Sequence, residues 1–253
     1  MLILDVGGTF IKCSDGREIP VDSDGTEEVI SAALAEAVRG EYERIRIAIP
    51  GPFDYRRGIF LMKHKYAAVY GRTFREIAGI PESVELEFVH DVVGPLMGEL
   101  ERDPSLRKGT VALITLGTGL GFAVARDGVV SLAEDLSPAE SLWDLPYGDG
   151  TLEDYVSKRG ILRFAQNDRK AQEEISVREL SEMARRGDPK ALEAFREAGR
   201  HLSLGARPVL ESLGVKKVIF AGQISKSLDL IAPDFGEGVS VVLSSTIANN
   251  TKR

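Results

Sequence analysis

Two short stretches of the 253-residue chain bring together residue types that suit phosphate. In the first, Asp5-Val6-Gly7-Gly8-Thr9-Phe10 follows an apolar run; in the second, Gly117-Thr118-Gly119 follows another. Backbone N–H groups reach a phosphate closely only where side chains do not intervene, so a glycine turn with a neighbouring hydroxyl is a candidate phosphate cradle. Neither stretch is a dinucleotide fingerprint, which needs G-x-G-x-x-G opening a helix. Asp5 stands just before the first turn, where phosphates would repel its carboxylate unless a divalent cation lay between. That argues for Mg2+ at Asp5, held through water because Mg2+ dehydrates reluctantly; a turn-capping acid fits the same position. Asp91 closes the alternating stretch "VELEFVHD" directly ahead of a helical one. A carboxylate there can act as general base toward a hydroxyl, or as the N-cap of the helix.

Positioning these residues takes strands and helices in alternation. "LILDV", "FIKCS" and "REIPV" read as three antiparallel strands with Asp15-Gly16 as a hairpin turn. Apolar residues at Val29, Ile30, Ala33, Leu34 and Ala37 predict a helix that stops at Gly40. "RIRIAIPGP" returns to strand, Thr73 opens a capping box with Glu76, and "VVGPLMGELE" is helical. "LITLGTGLGFAVARDG" then repeats the opening: apolar strand, glycine turn, second strand, Asp127-Gly128 hairpin turn. This is the pattern of an internal duplication in which each half offers one glycine turn to a shared ligand. Beyond residue 150 the chain turns helical, with starts at Thr151, Ser176 and Asp188-Pro189. The polar segment 166–174 reads as an exposed connection. "KKVIFAG" reads as a buried strand, "ISKSLDLI" as a helix and "VSVVLSS" as a last strand. The expectation is an α/β protein of two layered domains, 1–107 and 108–253, with a cleft between them.

A net charge of −7 argues against nucleic-acid and membrane-surface partners, which are met by basic patches. Cys13 is the only cysteine, so disulfides within the chain and cysteine-rich zinc sites are excluded by counting, and a cytoplasmic setting is expected.

The motifs, in their order, resemble the ROK family of sugar kinases. "LDVGGTFIK" and "LITLGTGLGFAVARDG" resemble its two phosphate motifs, and "AIPGPFDYRRGIF", containing Gly51, its sugar-side Gly-Pro segment. "VHDVVGPLMGE" resembles its catalytic-acid segment, "GTLEDYVSKRGI" its Leu-Glu-x-Tyr-x-Ser stretch, and "VIFAGQISKS" its adenosine segment. The resemblance runs from residue 2 to about residue 228. It implies an actin-like ATPase (ribonuclease H-like) fold, ATP and Mg2+ as cofactors, a sugar as acceptor, and a homodimer by family habit. It also implies Asp91 as catalytic base. Gly7, Gly8, Thr9, Lys12, Gly117, Thr118, Gly119, Gly222 and Gln223 fall on the nucleotide side. Gln223 replaces the second glycine of the adenosine segment, and Lys12 is otherwise an ordinary charge on a hairpin strand.

The sugar side departs from the family. His90 stands where the family has Asn. The Glu-x-Gly-His element falls on Glu140 to Trp143, so tryptophan replaces a histidine, and the cysteine-rich zinc motif is absent, so no structural zinc is expected. Glu140 and Glu153 match the two sugar-binding glutamates, although Glu153 also suits the first turn of a helix. His64 lies where the family has a sugar-contacting Asn, but a lone histidine of this kind is usually a surface residue. Trp143 could stack on a sugar face, yet a single tryptophan is more often core. His201 falls in a helix and is assigned no role. The resulting expectation is a glucokinase-like enzyme phosphorylating a hexose or N-acetylhexosamine. The alternatives are a same-fold kinase of a non-sugar hydroxyl such as pantothenate, or a sugar-sensing regulator. Regulators of the family carry an N-terminal helix-turn-helix, whereas this sequence starts at the phosphate motif.

Overall fold

Alternation of apolar and polar residues builds the first strands. In β1 (Leu2–Val6) Leu2, Leu4 and Val6 are buried, and in β2 (Phe10–Cys13) Ile11 and Cys13 are. The structure is a computed structural model, and it describes residues 1–63, 65–166 and 175–244. His64 and all but the first residue of the connection at 166–174 lie outside the described residues.

Packing divides the chain into two compact units, one of residues 1–95 with 132–138 and the other of residues 96–131 with 139–253. In the first, β1, β2 and β3 (Glu18–Pro20) form the antiparallel run, followed by α1 (Glu27–Ala37) and β4 (Arg44–Ile49). A two-stranded ribbon of β5 (Phe53–Asp54) and β6 (Ile59–Phe60) leads through a turn of 3-10 helix at Ala67–Val69 to α2 (Phe74–Ala78). The predicted capping box forms: the Glu76 amide donates to the Thr73 hydroxyl at 3.2 Å and the Thr73 amide to the Glu76 carboxylate at 3.2 Å. β7 (Glu85–His90) then adds parallel to β4, and α3 (Val93–Arg102) leads into the second unit. Ion pairs Arg44–Glu85 and Arg46–Glu87 lie across the β4–β7 register. The five-stranded sheet has the order β3-β2-β1-β4-β7.

The second unit repeats this plan. β8 (Thr110–Leu116), β9 (Leu120–Arg126) and β10 (Val129–Val130) are antiparallel, and a hairpin of β11 (Pro146–Tyr147) and β12 (Gly150–Thr151) precedes the helices. These are α4 (Leu152–Val156), α5 (Lys158–Gln166), α6 (Val177–Arg185) and α7 (Pro189–Ser212). Ser176 with Glu179 caps α6 and Asp188 caps α7, as the sequence predicts. β13 (Val215–Ala221) and β14 (Ser240–Leu243) complete a sheet of order β10-β9-β8-β13-β14. The stretch expected as one helix after β13 is a 3-10 turn, Ile224–Ser227, followed by the single-turn α8 (Leu228–Ile231).

Both sheets therefore have three strands in antiparallel sequence and two more added in parallel, with the same order and sense. This is the repeat that the two glycine motifs predict. Each unit has its own core. Leu4, Val6, Ile47, Phe60 and Phe74 belong to the first, and Leu116, Leu152, Phe195, Leu202 and Phe220 to the second. Trp143, for which the sequence left sugar stacking and core both open, is 54% exposed and not part of either core.

Candidate functional site

In the first sheet β1, β4 and β7 run parallel, and Asp5, Ala48 and Val89 lie on one row of the register. Asp5 is thus next to last on β1, and Asp91 follows the end of β7 one residue beyond His90. The carboxyl ends of parallel strands are where open α/β sheets place ligands. The Asp5 carboxylate accepts no hydrogen bond among the described residues, and partial desolvation lifts it above the usual range although the residue remains open to solvent. Lys12, its register partner on β2, pulls it down, and the charge of Asp91 pushes it up. A carboxylate raised by its surroundings and by the charge of Asp91, with no protein donor among the described residues, suits a hard cation that keeps several waters. Among the described residues no cluster of three or more His, Cys, Asp or Glu side chains forms a protein-only metal cage.

Asp91 does not behave as a helix cap: no backbone amide of α3 donates to it among the described residues. Its Oδ1 lies 2.8 Å from Nδ1 of His90. The His90 ring packs on Tyr55 at 5.7 Å between centroids, and the Tyr55 hydroxyl donates to the Ile49 carbonyl at 3.1 Å. Gly51 lies against both rings: a Cβ there would stand 3.3 Å from the Tyr55 hydroxyl and 3.7 Å from Nε2 of His90.

The first glycine turn is braced from outside. Gly7 N–H is spent within the turn, donating to Phe10 C=O at 3.0 Å, and Ser23 and Val21 donate to the carbonyls of Gly8 and Thr9 at 3.2 and 2.9 Å. The Tyr66 hydroxyl donates to Gly7 C=O at 2.5 Å, and the Tyr66 amide to Ser23 C=O at 2.6 Å. Tyr66 is fully buried and left-handed (φ 52°), a conformation that costs a non-glycine residue about 1–3 kcal/mol. The preceding residue, Lys65, runs past Gly8, with Cδ and Cε 3.6 Å from where a Gly8 Cβ would be. It has no ion-pair partner among the described residues. Sequence reading missed this lysine; its only signal was a positive charge beside His64.

The second turn is built differently. Gly117 N–H donates to Gly119 C=O at 3.1 Å, Leu120 N–H to Oε2 of Glu153 at 2.8 Å, and Lys158 N–H, at the start of α5, to Gly117 C=O at 2.9 Å. A Cβ at Gly119 would stand 2.8 Å from that same Oε2, so glycine is what lets the carboxylate reach the strand. A Cβ at Gly117 would meet nothing within 4 Å, leaving open space over the turn. Gly222 ends β13 with φ +86°, and a Cβ there would fall 2.3 Å from the Leu116 carbonyl. Gly222 thereby seats the end of β13 against the strand that leads into the second turn. Gln223 is exposed.

Glu140 faces Arg126 at 3.8 Å through Oε1, while its Oε2 is buried with no hydrogen-bond partner among the described residues. His201 belongs to an aromatic cluster: its Nδ1 is 2.9 Å from the Tyr147 hydroxyl and its ring stacks on Phe164. Burial lowers its pKa. Tyr155 closes the β11–β12 hairpin by donating to Asp149. Among the described residues no helix is long and apolar enough to cross a membrane.

No curated protein matches the chain in sequence. The ROK family model matches residues 148–252. Among solved structures, a ROK family glucokinase from Streptomyces griseus, in complex with glucose and AMPPNP, is similar with a TM-score of 0.78 and 22% identity over 96% of this chain and 94% of that one. A ROK hexokinase from Thermus thermophilus gives 0.70 and 22% over 96% and 92%. A ROK family transcriptional regulator, a homologue of the E. coli MLC protein, gives 0.73 and 18% over 96% and 73%. With the family's model on its C-terminal segment and the fold of solved ROK proteins along nearly its whole length, the chain bears out the resemblance to the ROK family carried by its motifs.

Proposed function

We propose that this protein is a sugar kinase that transfers the γ-phosphoryl group of ATP to a hydroxyl of a hexose or N-acetylhexosamine, in a cytoplasmic setting. The observation that carries the reading is Asp91. It stands free of α3 at the carboxyl end of a parallel strand, in the sheet that also bears the first glycine turn. Phosphoryl transfer asks mainly for positioning, charge stabilisation and a base within reach of the attacking hydroxyl.

In this reading Asp91 takes the proton of the acceptor hydroxyl. Thr9, the Gly8 amide and Lys65 hold phosphate oxygens at the first turn, and Gly117, Thr118 and Gly119 hold them at the second. Gly222 and Gln223 lie on the adenosine side. Asp5 holds Mg2+ through water, and the ion when bound neutralises charge on the transferring group. The orphaned Oε2 of Glu140 is the kind of acceptor that a sugar hydroxyl satisfies, since a buried polar atom without a partner costs about 1–3 kcal/mol. Glu153 keeps its second oxygen for the same purpose. Gly51 and the exposed face of Trp143 complete the acceptor side, which we assign to residues 1–107 with these additions, and the nucleotide side to residues 108–253.

The test is ADP release with Mg-ATP against a panel of hexoses, N-acetylhexosamines and pantothenate. Release that depends on a sugar supports the reading. Release with pantothenate alone redirects it to another hydroxyl, and silence across the panel with specific DNA binding redirects it to a regulator.

A further inference from the structure

The nitrogen Nδ1 of His90 has two neighbours that ask opposite things of it. Oδ1 of Asp91 is 2.8 Å away and needs a hydrogen on Nδ1; the Val92 amide is 3.2 Å away and needs a lone pair there. One nitrogen cannot serve both. A carboxylate against a bare ring nitrogen at 2.8 Å would be lone pair against lone pair, whereas an N–H donated to a carboxylate is charge-assisted and has its usual length there. The ring itself is held by contacts that do not involve this nitrogen. Tyr55 packs on one side, fixed by its bond to the Ile49 carbonyl, and the Cβ-less edge of Gly51 admits the Cδ2–Nε2 side.

We propose that His90 is a positioning residue for Asp91: its Nδ1–H fixes Oδ1 and leaves Oδ2 as the oxygen that meets the acceptor hydroxyl. This rests on the reading of Asp91 as base. It gives the histidine a part in orienting the carboxylate, in place of the sugar contact that the family resemblance implies for that position. A dangling carboxylate on a turn samples many orientations, and the one that lines up with the hydroxyl becomes the resting one when a single oxygen is tied down.

The experiment compares side chains that copy one ring nitrogen each. The amide nitrogen of Asn reaches the place of Nδ1, and that of Gln the place of Nε2. Sugar-dependent ADP release by His90→Asn should keep kcat within about threefold of the parent, while His90→Gln and His90→Ala should lose about 30-fold or more in kcat, with KM for the sugar changing less than about threefold. Asparagine failing as badly as glutamine overturns the proposal. So does a loss confined to KM, which would make His90 a sugar ligand. Asp91→Asn in parallel keeps the two levels apart: an active Asp91→Asn enzyme removes the base reading itself, whereas an inactive one with equal Asn and Gln variants removes only the role of His90. A measurement on the unaltered protein does not depend on any variant folding. Nitrogen-15 NMR of the imidazoles, with His90→Asn used to assign the signal, should show the hydrogen on Nδ1. An Nε2–H ring whose Nδ1 accepts the Val92 amide would overturn the proposal.

Discussion

The two glycine turns occupy equivalent places in two sheets of the same order, yet they are braced by opposite charges. At the first, Lys65 lies along Gly8 and a tyrosine hydroxyl holds Gly7 from outside the sheet. At the second, the Glu153 carboxylate is bound to Leu120 and the first amide of α5 holds Gly117. Both turns spend the amide of their first glycine internally. What differs is the field each offers: a cation beside one, an anion braced by a helix start at the other. The two sheets share one frame, and side chains that arrive from distant parts of the chain make the two turns different. Under the proposed function Lys65 draws a phosphate to the first turn, while the second keeps an open face at Gly117 and holds Glu153 by its bond to Leu120.

The comparison can be broken most severely at Gly222. Alanine there would combine a left-handed backbone with a 2.3 Å approach to the Leu116 carbonyl, so stability should fall by ~3 kcal/mol in denaturant unfolding. A loss under about 0.5 kcal/mol would show that β13 does not press on the second turn. Tyr66→Phe tests the brace of the first turn. Removing the hydroxyl from the Gly7 carbonyl should cost about 1–2 kcal/mol and loosen the turn, seen as faster amide exchange at Gly8 and Thr9. Lys65→Met should raise the KM for ATP about tenfold with little change in melting temperature, because it deletes one charge-assisted contact and keeps the stem. An unchanged KM would mean that the two turns do not differ in the way described.

The smallest effect is expected at Asp5, where it has an informative sign. Its carboxyl is raised in the folded state, so the stability tied to its neutral form is present at low pH and is lost as pH rises through the folded value. At neutral pH the ionised group is a burden. Asp5→Asn should therefore melt slightly higher than the parent at pH 7, lose that advantage below about pH 4, and bind Mg-ATP more weakly. A variant less stable at pH 7 would contradict the account of Asp5 as a carboxylate waiting for a cation.

Much of this architecture is local and so could be read from the chain. The alternation in "LILDV", the Thr73 and Ser176 capping boxes, and the two strand-glycine-strand repeats each lie within a single short stretch of the chain. The hydrogen bond from Tyr66 to Gly7 spans 59 positions and has no local signature, so the brace of the first turn and the placement of Lys65 were invisible. Trp143 had two readings on sequence, stacking on a sugar face or core, and its 54% exposure removes the second, because burial depends on distant elements that sequence does not show. Glu153 had two readings on sequence, sugar ligand or first-turn acid, and its bond to Leu120 adds a third that only a neighbouring strand could reveal. His90 was legible as a departure from the family, and its relation to Asp91 only as a distance.

The most direct test of the central claim is the rate of sugar-dependent ADP formation by the parent and by Asp91→Asn, with nucleotide affinity measured on both. The account predicts a loss of about 10²–10⁴ in kcat for the variant with nucleotide affinity unchanged. Parent-like turnover by Asp91→Asn, or no sugar-dependent ADP from the parent on any hexose or N-acetylhexosamine, would contradict it.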